Sequence, residues 1–103
     1  MKSVLIFSAM GLLLSTGAAI ADDDELYKTK NCFACHRIDR TTLGPSFRNI
    51  AAKYVEEKGA DVMLAKKIRE GSVGAWGQVP MPPQPQVTEA EALTLARWIL
   101  ERK

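Results

Sequence analysis

A chain of 103 residues has room for one small domain, and its 14 basic and 12 acidic side chains leave a formal charge of only +2, with no polybasic footprint for nucleic acid. With two cysteines and one histidine in all, a structural zinc site would lack its fourth ligand.

The first 21 residues have the pattern of a secretory signal. Lys2 precedes the apolar run from Val4 to Leu14, and the small residues from Ser15 to Ala21 end in an A-x-A cleavage pattern. The uncharged stretch Ser3 to Ala21 is nearly long enough for a membrane anchor, but its glycines and its A-x-A end favour cleavage after Ala21. Asp22, not Cys, follows the cut, so no lipid-attachment cysteine stands there. The expected division is a signal peptide, residues 1–21, and a soluble exported domain, residues 22–103. Once Lys2 is removed, 13 basic groups face 12 acidic ones. About 80 residues is near the lower limit for a self-sufficient apolar core, so a staple is expected.

In chain order, Asp22-Asp23-Asp24-Glu25 opens a first helix, its acids suiting the positive end of the helix dipole. That helix leads through Leu26 and Tyr27 to Cys32-Phe33-Ala34-Cys35-His36. Two thiols three positions apart share one side of a helical turn, and an imidazole follows directly, the pattern of a c-type haem attachment site. Each sulfur would form a thioether with a haem vinyl group, and His36 would serve as proximal iron ligand. A bare C-x-x-C also fits a zinc half-site, a thioredoxin-like redox pair or a local disulfide. A disulfide closing so short a loop would constrain the unfolded chain little.

A polar connection, residues 37–42, runs into Leu43-Gly44-Pro45, a loop. Phe47, Ile50, Ala51, Tyr54 and Val55 then recur at helical spacing and predict a second helix from Ser46 to about Lys58-Gly59. A third is expected from Asp61, as its cap, to Gly71, with Val62, Leu64, Ala65 and Ile68 inward and Met63 as core filler. Gly71, Gly74, Gly77, Pro80, Pro82, Pro83 and Pro85 make residues 71–87 an extended loop with a stiff end, Met81 set among the prolines. Thr88-Glu89-Ala90-Glu91 is a capping box for a last helix carrying Leu95, Ala96, Trp98, Ile99 and Leu100 on one face. No stretch alternates as a strand should, so the sheet of a thioredoxin-like domain is not expected.

His36 is the only histidine, which excludes bis-histidine ligation within one chain, and Met1 and Met10 leave with the signal. Of Met63 and Met81, the first belongs to helix packing, whereas the second lies 45 residues past His36 on a segment free to cross the opposite haem face. Met81 is therefore the expected distal ligand.

Cys32-x-x-Cys35-His36, Leu43-Gly44-Pro45, Gly74-Ala75-Trp76-Gly77 and Val79-Pro80-Met81-Pro82-Pro83 together resemble the small class I bacterial cytochromes c of the c-551 type, in order and spacing, across the whole mature chain. The resemblance implies a compact all-α fold of about four helices around one covalent haem, with His36 and Met81 as axial ligands. It further implies that the Pro45 carbonyl accepts a hydrogen bond from the proximal imidazole, that Trp76 and Lys67 lie near the haem propionates, and that Gln84 stands where the family often hydrogen-bonds the Met sulfur. Phe47 occupies a place where Tyr is common, which removes a hydroxyl, and the Gln84-Pro85-Gln86 region is one residue longer than in close relatives.

Iron held on both faces has no open position for substrate, so the expected role is a single-electron carrier in the periplasm and not an enzyme. The resemblance implies redox partners among respiratory complexes, with a terminal oxidase or nitrite reductase as acceptor, met by a monomer without nucleic acid or stable membrane insertion. An open distal site would instead make a gas-binding or enzymatic haem protein, and unmodified Cys32 and Cys35 a thiol-redox protein.

Overall fold

The computed structural model describes residues 23–103 and the single residue Gly11; apart from Gly11, the signal segment expected over residues 1–21 lies outside the described residues. Among the described residues there are four α-helices: α1 Asp23–Thr29, α2 Phe47–Tyr54, α3 Ala60–Glu70 and α4 Glu89–Leu100. Two short strands, β1 Ser72–Gly74 and β2 Gly77–Met81, separate α3 from α4. Among the described residues no helix is long and apolar enough to cross a membrane.

α4 is the centre of the packing and meets α1, α2 and α3. Its start is fixed as the sequence predicts: Thr88 Oγ1 accepts from the Glu91 N–H at 3.1 Å, and Glu91 Oε1 accepts from the Thr88 N–H at 3.0 Å, satisfying two donors that the first helical turn would otherwise leave unpaired. Leu95 and Ala96 are buried from this helix, with Trp98 and Ile99 beside them. Trp98 stacks on Tyr27 of α1 at 5.2 Å and meets Phe47 of α2 edge-on at 5.4 Å, while Tyr27 meets Phe47 edge-on at 5.1 Å. This three-ring junction ties three helices at one point, with geometry that adds about 0.5–1.5 kcal/mol per pair beyond area burial.

α2 begins where expected, Ser46 accepting the Asn49 N–H through its side chain at 3.1 Å. It ends at Tyr54 and not at Lys58-Gly59. Residues 55–59 are exposed turns, since Glu56, Glu57 and Lys58 offer nothing to bury. α3 starts one residue before the expected cap, from Gly59 at φ 76°, a left-handed conformation that glycine adopts without cost. Ala60, Leu64, Ala65 and Ile68 are its inward face. Val62, expected inward, is 64 % exposed, because a residue two positions from Leu64 points to the other side of a helix.

The largest departure is the stretch expected as loop. β1 and β2 pair antiparallel, Ser72 opposite Met81 and Gly74 opposite Gly77, with an irregularity between. Gly74 at φ 94° and Gly77 at φ 111° flank Ala75-Trp76 and let the chain reverse in two residues. With nearly every β2 residue exposed, the strand has no apolar alternation to display in sequence. Pro80 is tolerated because a two-stranded ribbon consists only of edges.

Candidate haem-binding site

Two segments build the candidate site. The first is the thiol turn. α1 ends just ahead of it, and Asn31 takes a left-handed conformation, φ 65°, which Asn tolerates better than most residues. A single 3₁₀ turn, Cys32–Ala34, follows, and the N–H groups of Cys35 and His36 both close on the Cys32 carbonyl at 3.2 and 2.9 Å. No disulfide joins Cys32 and Cys35, and each is half-buried. Burial pushes the Cys32 thiol pKa up, as removal of water disfavours a thiolate.

His36 is held on four sides. Its Nδ1 donates to the Pro45 carbonyl at 2.7 Å, which leaves the ligating lone pair on Nε2. The ring stacks on Phe47 at 5.1 Å. Its carbonyl accepts the Tyr27 hydroxyl at 2.9 Å. Gly44 closes the remaining side: a Cβ there would sit 2.7 Å from the ring's Cε1. Burial lowers the imidazole pKa and the Pro45 hydrogen bond opposes that shift; the net lowering favours the neutral form, the one that binds a metal.

The loop carrying Gly44 and Pro45 is itself tied down. The Gly44 N–H and the Thr42 hydroxyl both bond the Cys35 carbonyl, at 2.8 and 2.7 Å. The N–H groups of Phe47 and Arg48 reach back to the carbonyls of Arg37 and Ile38, at 2.9 and 3.0 Å. Most of these are backbone bonds, which sequence patterns do not display. Tyr27, read in sequence only as part of a helix, supplies a hydroxyl to the His36 carbonyl.

The second segment carries Met81, half-buried at the end of β2 and packed against the core. Gly71, φ 80°, allows the strand to pass close: a Cβ there would lie 2.6 Å from the Met81 carbonyl oxygen and 2.9 Å from the Pro83 nitrogen. Met63, the other candidate, is partly buried against the helix core, in keeping with a packing role.

Around these segments, several bulky apolar side chains stand open. Leu43 is 68 % exposed, Val73 71 % and Val79 67 %, with Phe33, Ile38 and Trp76 also exposed. Paired thiols on one turn, an imidazole presenting Nε2, and open apolar side chains in the flanking segments fit a flat apolar macrocycle bearing a metal.

The remaining site candidates are placed as follows. Trp76 meets Tyr54 edge-on at 6.4 Å. Lys67 Nζ lies over the Tyr54 ring at 5.7 Å. The cation nearest Trp76 is Lys53, which no motif marks: its Nζ is 4.7 Å from the Trp76 ring centroid and donates to the Ala75 carbonyl at 3.2 Å. Gln84 directs Nε2 to the Pro82 carbonyl at 2.9 Å and accepts from Gln86 at 2.7 Å; its amide serves the loop itself in this structure.

Residues 20–103 match the family described as Cytochrome c. Cytochrome c-551 of Pseudomonas aeruginosa is 45 % identical over 101 residues, covering 98 % of this chain and 96 % of that one. Cytochrome c-551 of Azotobacter vinelandii is 55 % identical over 80 residues, 78 % of this chain and 96 % of its own. The crystal structure of wild-type Nitrosomonas europaea cytochrome c552 superposes with a TM-score of 0.76 at 48 % identity, over 78 % of this chain and 99 % of that one. The likeness thus spans both site segments and the helices that hold them, and the chain belongs to the cytochrome c family, whose haem c is covalently bound and serves electron transfer and not catalysis.

Proposed function

We propose that this protein is a soluble periplasmic single-electron carrier whose iron is held by His36 and Met81. The observation that carries the reading is the Nδ1 hydrogen bond from His36 to the Pro45 carbonyl at 2.7 Å, because it fixes the ring orientation and commits Nε2 to the metal. Met81 complements it. The prolines on either side restrict its backbone, so a thioether at this place needs little reorganisation as the metal changes charge.

Haem c supplies a one-electron couple when bound. The residues determine how that couple behaves. A neutral imidazole opposite a neutral thioether, with apolar neighbours, favours the reduced state and raises the potential. With His36 and Met81 both holding the iron, no position would remain for a substrate. Arg37, Arg40 and Arg48, which follow the thiol turn in the chain, present an exposed charged surface. Such a surface suits the small, brief interfaces of electron-transfer encounters, with a respiratory donor and a terminal oxidase or nitrite reductase as acceptor. Trp76 and Lys67 are assigned to the propionate side, cleavage of the signal to Ala21, and the working form to the monomer.

The test is the absorption spectrum of protein matured in the periplasm, oxidised and reduced, with and without carbon monoxide. Low-spin haem with the weak sulfur-to-iron band and no carbon monoxide response is expected. Met81→Ala should keep the covalent haem, lose that band and bind carbon monoxide. A wild-type spectrum that is high-spin and shifts with carbon monoxide would overturn the reading. N-terminal sequencing of the exported protein should begin at Asp22.

A further inference from the structure

The segment after Met81 has an unusual supply of hydrogen-bond donors. Pro82, Pro83 and Pro85 have no N–H, so within residues 82–86 only Gln84 and Gln86 bring backbone donors. Gln84 spends its N–H on the Ile68 carbonyl at 3.2 Å, which ties the loop to α3. The tie to the other half of the molecule is made by side chains. Gln86 Nε2 donates to the Lys30 carbonyl at 3.2 Å, and Lys30 Nζ donates back to the Gln86 carbonyl at 3.1 Å. The exchange joins positions 56 residues apart. Lys30 Nζ also pairs with Glu91 at 3.1 Å, the residue whose other oxygen closes the α4 capping box.

The placement of this clamp matters more than its strength. Lys30 is two residues ahead of Cys32, and Gln86 is five beyond Met81. One end is therefore rigidly connected to the thiol turn through Asn31, and the other to the distal ligand strand. From this the geometry points to Gln86, with Lys30, as a positioning pair that holds the Met81 loop in register with the haem attachment turn and slows release of the methionine sulfur from iron. The inference rests on the axial role proposed above for Met81. Without the clamp, the loop keeps its Ile68 anchor but can swing about it, and sulfur release no longer has to break two inter-segment bonds.

The experiment is imidazole binding to the ferric holoprotein, followed by stopped flow over a concentration series. When sulfur must leave before imidazole enters, the observed rate saturates at the rate of sulfur release. Gln86→Leu keeps the bulk and removes the donor; Lys30→Leu removes the reciprocal bond. Each should raise the limiting rate by about three- to tenfold, as expected for loss of one modest hydrogen bond, while the sulfur-to-iron band remains at equilibrium. Asp61→Asn is the control, since it weakens the Arg97 ion pair between α3 and α4 away from this loop. It should lower the unfolding midpoint with a limiting rate within about twofold of wild type. The proposal is overturned if Gln86→Leu and Lys30→Leu leave the limiting rate within about twofold of wild type, or if Asp61→Asn raises it as much as they do. A wild-type rate that climbs without saturating, with no sulfur-to-iron band, would overturn the axial reading of Met81 and the clamp's role with it.

Discussion

The helical half of the molecule and the two segments that face the cofactor are built on opposite terms. At the α1–α2–α4 junction the apolar groups cover one another: Phe47 is 2 % exposed and Leu95 1 %. In the segments 32–46 and 71–81, Leu43, Val73 and Val79 remain about two-thirds exposed or more, and order comes from backbone hydrogen bonds, tight glycines and prolines. The first region is stabilised by its own burial. The second is shaped in advance for a surface that the polypeptide does not contain, so the haem serves as the missing half of its core.

The comparison can be broken most severely at the cofactor. Cys32→Ala with Cys35→Ala, matured under haem-attachment conditions, should give a protein without covalent pigment and without a cooperative thermal transition, because a chain of this size has too small a core of its own. A sharp transition by circular dichroism would show the helical half to be self-sufficient. Leu95→Ala attacks the other half. It should keep the haem but lose about 2–5 kcal/mol in denaturant unfolding, the range for emptying a fully buried leucine site.

Gly44→Ala probes the line where the halves meet. The new methyl would press on the His36 ring, and the loop, fixed by the Cys35 carbonyl, can yield only by moving. A loss of about 1–3 kcal/mol is expected, with a changed sulfur-to-iron band that Leu95→Ala does not produce. Thr88→Ala, which removes half of the capping box, should cost about 1 kcal/mol and leave the spectrum untouched.

The smallest effect is electrostatic. The Thr88 N–H first, and then Lys30, hold the Glu91 carboxyl below the usual glutamate pKa. A carboxyl with a lower pKa in the folded state stabilises that state above its unfolded pKa, and the contribution fades as pH falls through the folded value. Glu91→Gln should therefore flatten the loss of stability in acid, below about pH 4, and change little near neutrality. An unchanged acid limb in an unfolding titration would remove Glu91 from that account.

Much of the attachment turn and the four-helix frame was readable in the chain. Cys32, Cys35 and His36 are close in sequence, so one local turn brings them together, and the Thr88–Glu91 box and the Phe47 to Tyr54 spacing are equally local. The ribbon Ser72–Met81 was not readable, because its pairing is exposed and glycine-rich and has no apolar alternation. The early end of α2 and the outward turn of Val62 depend on what each position finds to pack against. Lys53 at Trp76 and Tyr27 at His36 were missed for a similar reason: each acts through a bond to a distant backbone carbonyl, and no residue pattern encodes which carbonyl that will be.

The sequence by itself thus determined the chemistry and the helical frame of this protein, since thiol spacing, capping residues and helical periodicity act within a few residues along the chain. Only the tertiary structure decided how the imidazole is held, how the Met81 loop is tied to the attachment turn and which surfaces stay open. Those outcomes come from contacts between segments as far apart as Lys30 and Gln86, where chain folding brings donor and acceptor together.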